Sequence, residues 1–125
     1  MQTSDETFCP YFHHAVELVG RRWSGAVLRA LLMGVERFNE LASAIPGISD
    51  RMLSERLKEF EAEGLVVRSV LPATPVRVSY RLTPKGEALG SVIGELSDWA
   101  EQWLRPAAEL KETARATGAS EGSPA

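Results

Sequence analysis

The sequence predicts an α+β fold, mostly α, in which five helical segments surround one short β-hairpin placed before the last of them. Three observations predict it. Apolar residues recur at spacings of three and four through most of residues 9–104, the period of a helix with one buried face. Residues 76–82 break that rule and alternate strictly, with Val76, Val78, Tyr80 and Leu82 on one side and Arg77, Ser79 and Arg81 on the other. Proline and glycine fall between the periodic stretches, where turns are needed. A length of 125 residues suits one domain.

The first helix starts at Cys9-Pro10, since proline's missing N–H is harmless in a first turn, and it ends at Gly20. It carries two apolar stripes, Phe12, Val16 and Val19 beside Tyr11, Ala15 and Leu18, so two of its sides call for burial. Trp23 to Met33 is a second helix closed by Gly34, and Arg37 to Ala44 a short third one. Ile45-Pro46-Gly47 turns the chain. Ser49 then caps a fourth helix that runs to about Glu63, with Leu53, Leu57 and Phe60 on one face. Strands follow at Leu65–Leu71 and Val76–Leu82, joined through Pro72-Ala73-Thr74-Pro75. Thr83-Pro84 begins a single last helix to about Leu104, with one seam of Val92, Leu96, Trp99 and Trp103 and another of Leu89, Ile93, Ala100 and Leu104. The expected organisation is an N-terminal arm at 1–8, a folded domain at 9–112 and a disordered tail at 113–125, whose Ala, Gly, Ser, Thr, Glu and Pro cannot build a core.

The longest apolar run, Ala30 to Met33, has four residues, so no membrane span is expected, and the polar, acidic start is no signal peptide. A cytoplasmic protein is expected, nucleoid-associated when bound to DNA. The formal net charge of −3 speaks against nucleic acid, but its distribution does not. Residues 21–85 carry eleven Lys and Arg against seven Asp and Glu, and the segments on either side are acidic. No phosphate-binding glycine loop and no Ser/His/Asp arrangement occurs, so no enzyme and no cofactor is expected. Cys9, His13 and His14 lack a fourth ligand nearby, so no metal is expected either.

The short helix, the Pro-Gly turn and the Ser49-capped helix form a helix-turn-helix, and the hairpin after it is a wing. Such a unit sets its second helix in the major groove and its wing against backbone or minor groove. With Leu53, Leu57 and Phe60 turned inward, Arg51, Glu55 and Lys58 turn outward with Ser54 beside them. Carboxylates Glu59, Glu61 and Glu63 crowd the far half, where the helix dipole disfavours them. A solvated face held by an Arg51–Glu55 pair, worth about 0.3–0.5 kcal/mol, explains the same outward set. On the wing, Arg77 and Arg81 share the outward face and Arg68 lies on the partner strand, and phosphate neutralised there adds affinity. A charged edge that discourages aggregation is the other explanation. A winged helix that docks on protein and never touches DNA is the alternative function.

Cys9-Pro10, Gly20-Arg21-Arg22-Trp23-Ser24, Arg37-Phe38-Asn39-Glu40-Leu41, Pro46-Gly47-Ile48-Ser49, Met52-Leu53-Ser54-Glu55-Arg56-Leu57, Glu63-Gly64-Leu65-Val66, Val78-Ser79-Tyr80 and Leu82-Thr83-Pro84-Lys85-Gly86 together resemble the HxlR-type winged helix-turn-helix regulators of the MarR-like superfamily. The resemblance covers about residues 9–104. It implies a homodimeric bacterial transcription factor on double-stranded DNA, with Ser49, Arg51, Ser54, Glu55 and Lys58 facing the major groove and Arg77 as the wing arginine. Val76 departs from the pattern, standing where a second proline is common.

The residues argue for a dimer independently. A solitary winged helix has no use for two apolar seams on its first helix and two on its last, and Trp99 and Trp103 in water would cost about 25 cal/mol per Å² of apolar surface. Tyr11, Phe12, Val92, Leu96, Trp99 and Trp103 are the expected interface, and a two-fold dimer implies an inverted-repeat operator. The aromatic residues of both helices could instead line a pocket for a small-molecule effector. The resemblance also makes Cys9 a candidate sensor of oxidants or electrophiles. A thiolate there would face unpaired N–H groups and a dipole worth about 0.3–1 kcal/mol, opposed by Asp5 and Glu6. A small buried apolar residue is the other reading of an unpaired cysteine.

Overall fold

A computed structural model of the chain describes residues 7–106. The expected tail at 113–125 and most of the expected arm at 1–8 lie outside the described residues. The chain divides into two compact units after Gly90, and each is described by itself.

The first unit opens with α1 (Pro10–Gly20), α2 (Ser24–Leu32), α3 (Phe38–Ala44) and α4 (Asp50–Ala62). It continues with β1 (Val66–Leu71), β2 (Arg77–Leu82) and a four-residue α5 (Pro84–Glu87). Helix α2 is the hub, packed against α1, α3, α4 and β2. Its Val27 and Leu28 are fully buried together with Leu41 of α3 and Leu53, Leu57 and Phe60 of α4. Leu65, Val66 and Tyr80 extend that core under the base of the hairpin.

One tight turn joins α3 to α4. The turn after α3 closes with Ile48 N donating to Ile45 O at 3.3 Å, and Gly47 takes φ +92°. A Cβ at Gly47 would also sit 3.4 Å from the Trp23 ring, so the turn demands glycine for conformation and has little room beside the indole. Trp23 itself, expected inside the second helix, is instead the residue before it and adopts left-handed φ 73°. That conformation is unfavourable for a bulky residue, and packing of the ring on the turn holds it there.

The hairpin is antiparallel in the register Val66↔Leu82, Arg68↔Tyr80, Val70↔Val78 and Leu71↔Arg77. A third segment is stitched to β2: Tyr80 N donates to Glu36 O at 2.8 Å and Arg37 bridges Ser79. The wing is thereby tied to the start of α3.

The expected single last helix is two helices. After α5 the chain makes a turn at Ala88 and Leu89, with Leu89 N donating to Gly86 O at 3.1 Å, and α6 (Gly90–Trp103) follows. The break falls between Gly86 and Gly90, both weak helix formers. Gly86 is also locked by packing, since a Cβ there would lie 2.3 Å from Leu65 O. Helix α6 makes up most of the described part of the second unit, and its Ile93 is buried.

Candidate nucleic-acid interface

Helix α4 is oriented from behind and capped in front. At its front, Ser49 Oγ accepts from Met52 N at 3.0 Å, which satisfies one of the N–H groups left free at a helix start. Behind, three apolar side chains of α4 enter the core. What remains outward from its start to just past its middle includes Arg51, Ser54, Glu55 and Lys58, with Asp50 exposed at the first position. Arg51 is the most open, with 89% of its side chain accessible, and its Nε lies 3.4 Å from Glu55 Oε2. Lys58 is exposed, and Ser54 and Glu55 are half-buried.

Two of the three carboxylates of the second half, Glu59 and Glu63, have structural partners, and Glu61 is exposed. Glu59 Oε2 accepts from Arg56 Nη1 at 2.6 Å and lies 3.2 Å from Arg21 Nη1, and Arg56 Nε donates to Arg22 O at 2.8 Å. Glu63 Oε2 is 3.0 Å from His14 Nε2. The rear of the helix is thus bound to α1 and to the Arg21–Arg22 link after it. In the sequence Arg56 stands out only as part of the Met52–Leu57 motif; in the fold it is buried, at 8% exposure. Its position one residue before Leu57 on a buried face was the available signal.

On the wing, pairing parity puts Arg77 and Arg81 on one face and Arg68, opposite Tyr80, on the other. Arg81 Nε comes within 4.0 Å of Glu36. Arg77, at the start of β2, lies beside the hairpin tip. Between α3, α4 and the wing runs an open cleft of about 660 Å³, lined by Arg37, Arg68 and Arg77 with Glu40, Ser54 and Tyr80 among its other walls. Arg37 was not among the residues singled out by sequence; it enters through the Arg37–Ser79 bridge, a contact that only the folded chain reveals.

Cys9 is exposed and caps α1, its Sγ accepting from Phe12 N at 3.4 Å. It is not the small buried residue that one reading of it required. Its neighbours are aromatic, with the Phe8 and His13 rings 5.4 Å apart. Among the described residues no group of three His, Cys, Asp or Glu side chains is placed to hold a metal. No described helix is long and apolar enough to cross a membrane.

Large apolar side chains lie open on both units. On α1, Tyr11 is 85% and Phe12 69% exposed. On α6, Val92, Leu96, Trp99 and Trp103 are all more than half exposed. The seam read from the sequence is thus a real surface of the single chain.

Residues 18–108 match the model of the HxlR-like helix-turn-helix family. The chain is 50% identical over 98 residues to the uncharacterized HTH-type transcriptional regulator YvaP of Bacillus subtilis, covering 78% of this chain and 91% of that one. The crystal structure of quinone-bound YodB from B. subtilis superposes with a TM-score of 0.66 at 44% identity, over 77% of this chain and all of that one. The redox regulator HypR in its oxidized form gives a TM-score of 0.72 at 33% identity, over 78% of this chain and all of that one.

Proposed function

The chain belongs to the HxlR-like helix-turn-helix family of transcriptional regulators, and from that premise we propose how it reads DNA and what it responds to. Two copies pair through the apolar faces of α1 and α6 and bind an inverted-repeat operator in the cytoplasm. In each copy the first turns of α4 enter the major groove, where Ser49, Arg51, Ser54, Glu55 and Lys58 meet base edges and phosphates, and Arg77 reaches backbone or minor groove. No catalytic role is assigned to any residue. The observation that carries this reading is the asymmetry of α4. Its carboxylates Glu59 and Glu63 are engaged at the rear with Arg21, Arg56 and His14, while nearer the front Arg51 and Lys58 are exposed, Arg51 holding only a surface pair with Glu55 that a phosphate can displace.

The effector is an oxidant or an electrophile, and Cys9 is its target. Quinone-bound YodB and oxidized HypR support this class of signal. Cys9 is the sole cysteine of the chain, so any disulfide it makes is with another polypeptide or a small thiol and never within the chain. A two-electron oxidant would remove two electrons and two protons from a pair of Cys9 thiols as the S–S bond forms. A quinone would instead accept the Cys9 sulfur at a ring carbon, the thiol proton passing to the quinone.

Selection of bound duplexes from a random pool, with and without reductant, tests the whole reading. A palindromic consensus whose binding depends on oxidant is expected, and Cys9→Ser should abolish that dependence while leaving binding intact. Failure to retain any duplex in dilute buffer would sink the DNA assignment and favour a protein-docking winged helix.

A further inference from the structure

We propose that the cleft between α3, the front of α4 and the wing is the seat of one sugar-phosphate strand, and that Arg37 and Arg68 grip its phosphates together with Arg77. This rests on the reading above, in which α4 lies in a major groove and the wing tip in the neighbouring minor groove. Adjacent grooves of a duplex are separated by one backbone. Whatever lies between a major-groove helix and a minor-groove wing must therefore accommodate that strand.

The charges of the unit sort accordingly. Arg21 and Arg56 are taken by Glu59, Arg51 by Glu55 and Arg81 by Glu36. Arg22 lies over the Trp23 ring, 5.4 Å from its centroid. Arg37, Arg68 and Arg77 have no carboxylate within 4.0 Å among the described residues, and all three line this one cleft. Glu40 is the only carboxylate on the same lining, which leaves the cleft at +2 in a chain of net −3. With Glu40 alone set against three guanidinium groups, the lining keeps a net positive charge that an anion lying in the cleft would balance. The three approach from different elements. Arg37 precedes α3, Arg68 is on β1 on the same face as Tyr80, and Arg77 opens β2. The Tyr80–Glu36 hydrogen bond and the Arg37–Ser79 bridge hold these elements together before any DNA arrives. A site built in advance loses less freedom on binding. The arginines stand among apolar residues, Phe38, Val76 and Val78, in an open cleft, so the charged groups border a course along which a strand can pass.

The test uses the full-length protein, the selected operator and a scrambled duplex of the same length, with affinity measured across a salt series. Each phosphate contact contributes about −0.9 to the slope of log K against log salt, which amounts to about eight-fold in affinity at 0.1 M. Arg37→Gln and Arg68→Gln should each flatten the slope by about one and weaken both duplexes by about that factor, leaving the ratio between them unchanged. Arg37→Lys and Arg68→Lys should restore most of the slope, because the term follows charge. Arg81→Gln should leave the slope where it was. Unchanged slopes in the two Gln variants, with wild type binding normally, would overturn the seat while leaving the DNA reading intact. A changed sequence preference in either variant would overturn it too, since it would mean contact with a base. Absence of wild-type binding to both duplexes would overturn the DNA reading as well.

Discussion

Replacing Arg56 tests whether the reading helix is held from behind as the structure implies. The side chain is 10% exposed and makes two charge-assisted hydrogen bonds, to Arg22 O at 2.8 Å and to Glu59 Oε2 at 2.6 Å. Such bonds contribute roughly 1.5–3 kcal/mol each. Removing one partner of a fully buried pair costs roughly 3–5 kcal/mol. Two features reduce the loss here. Glu59 is 33% exposed and keeps Arg21 at 3.2 Å, and the Arg22 carbonyl belongs to an exposed residue that water can solvate. Arg56→Met, which preserves the buried stem, should therefore cost about 2–3 kcal/mol. Arg56→Lys should fall between, since an ammonium cannot span both acceptors in the geometry of a guanidinium. The assay is urea unfolding at fixed protomer concentration, because a protein that associates has a concentration-dependent midpoint. A fall of about 1 M in the midpoint is expected for a urea slope of roughly 2–3 kcal/mol per M. A double-mutant cycle with Glu59→Gln should return a coupling above about 1 kcal/mol. Wild-type stability together with wild-type DNA affinity in Arg56→Met would refute the reasoning.

Ser49 separates stability from reading. Ser49→Ala should lower stability by about 1 kcal/mol through loss of the 3.0 Å cap to Met52 N. Ser49→Asp should keep the cap yet weaken duplex binding, because it sets a carboxylate against phosphate; thermal melts and gel-shift titrations check the two effects. Gly86→Ala sets helix propensity against packing: propensity favours alanine by about 1 kcal/mol. The 2.3 Å approach to Leu65 O is to rigid backbone, so a net loss of about 1–3 kcal/mol in chemical denaturation is expected. Trp103 is 66% exposed in the single chain. If a second copy covers it, Trp103→Glu should raise the dimer dissociation constant at least about 30-fold, the equivalent of roughly 2 kcal/mol, as measured by sedimentation equilibrium.

Periodicity made most of the fold legible. Leu53, Leu57 and Phe60 share a face at spacings of four and three, and all three are essentially inaccessible to solvent. Strict alternation at 76–82 gave β2 and the inward place of Tyr80. The front of α4 was legible for the same reason, since fixing the inward face by angle fixes the outward one. Long-range contacts were not. The Arg56–Glu59–Arg21 cluster needs α1 and α4 side by side, and spacing within one helix carries no information about its neighbour. The left-handed Trp23 was hidden because a bulky residue in that conformation goes against local preference. The break at Ala88–Leu89 was hidden by the helical repeat on either side of it. Locally weak positions, Gly86 and Gly90, were visible, but the packing that exploits them was not.

The net charge misleads about this protein because charge acts over a limited distance. At about 0.1 M salt a surface charge is screened beyond roughly 10 Å. The phosphates that α4 and the wing would meet thus feel Arg51, Lys58 and the arginines of the cleft far more than the acidic stretches elsewhere in the chain. Glu59 is neutralised at close range by two arginines and Glu63 lies against His14, so of the three rear acids Glu61 alone faces solvent with no cation within 4.0 Å among the described residues. At about 0.01 M salt the screening length grows to roughly 30 Å and the whole molecule is sensed. The balance of −3 then opposes the duplex. A plot of log affinity against log salt should therefore bend, shallower at the dilute end than the count of phosphate contacts predicts. A straight line down to the lowest salt would mean that the acidic segments are held away from the DNA by more than that distance.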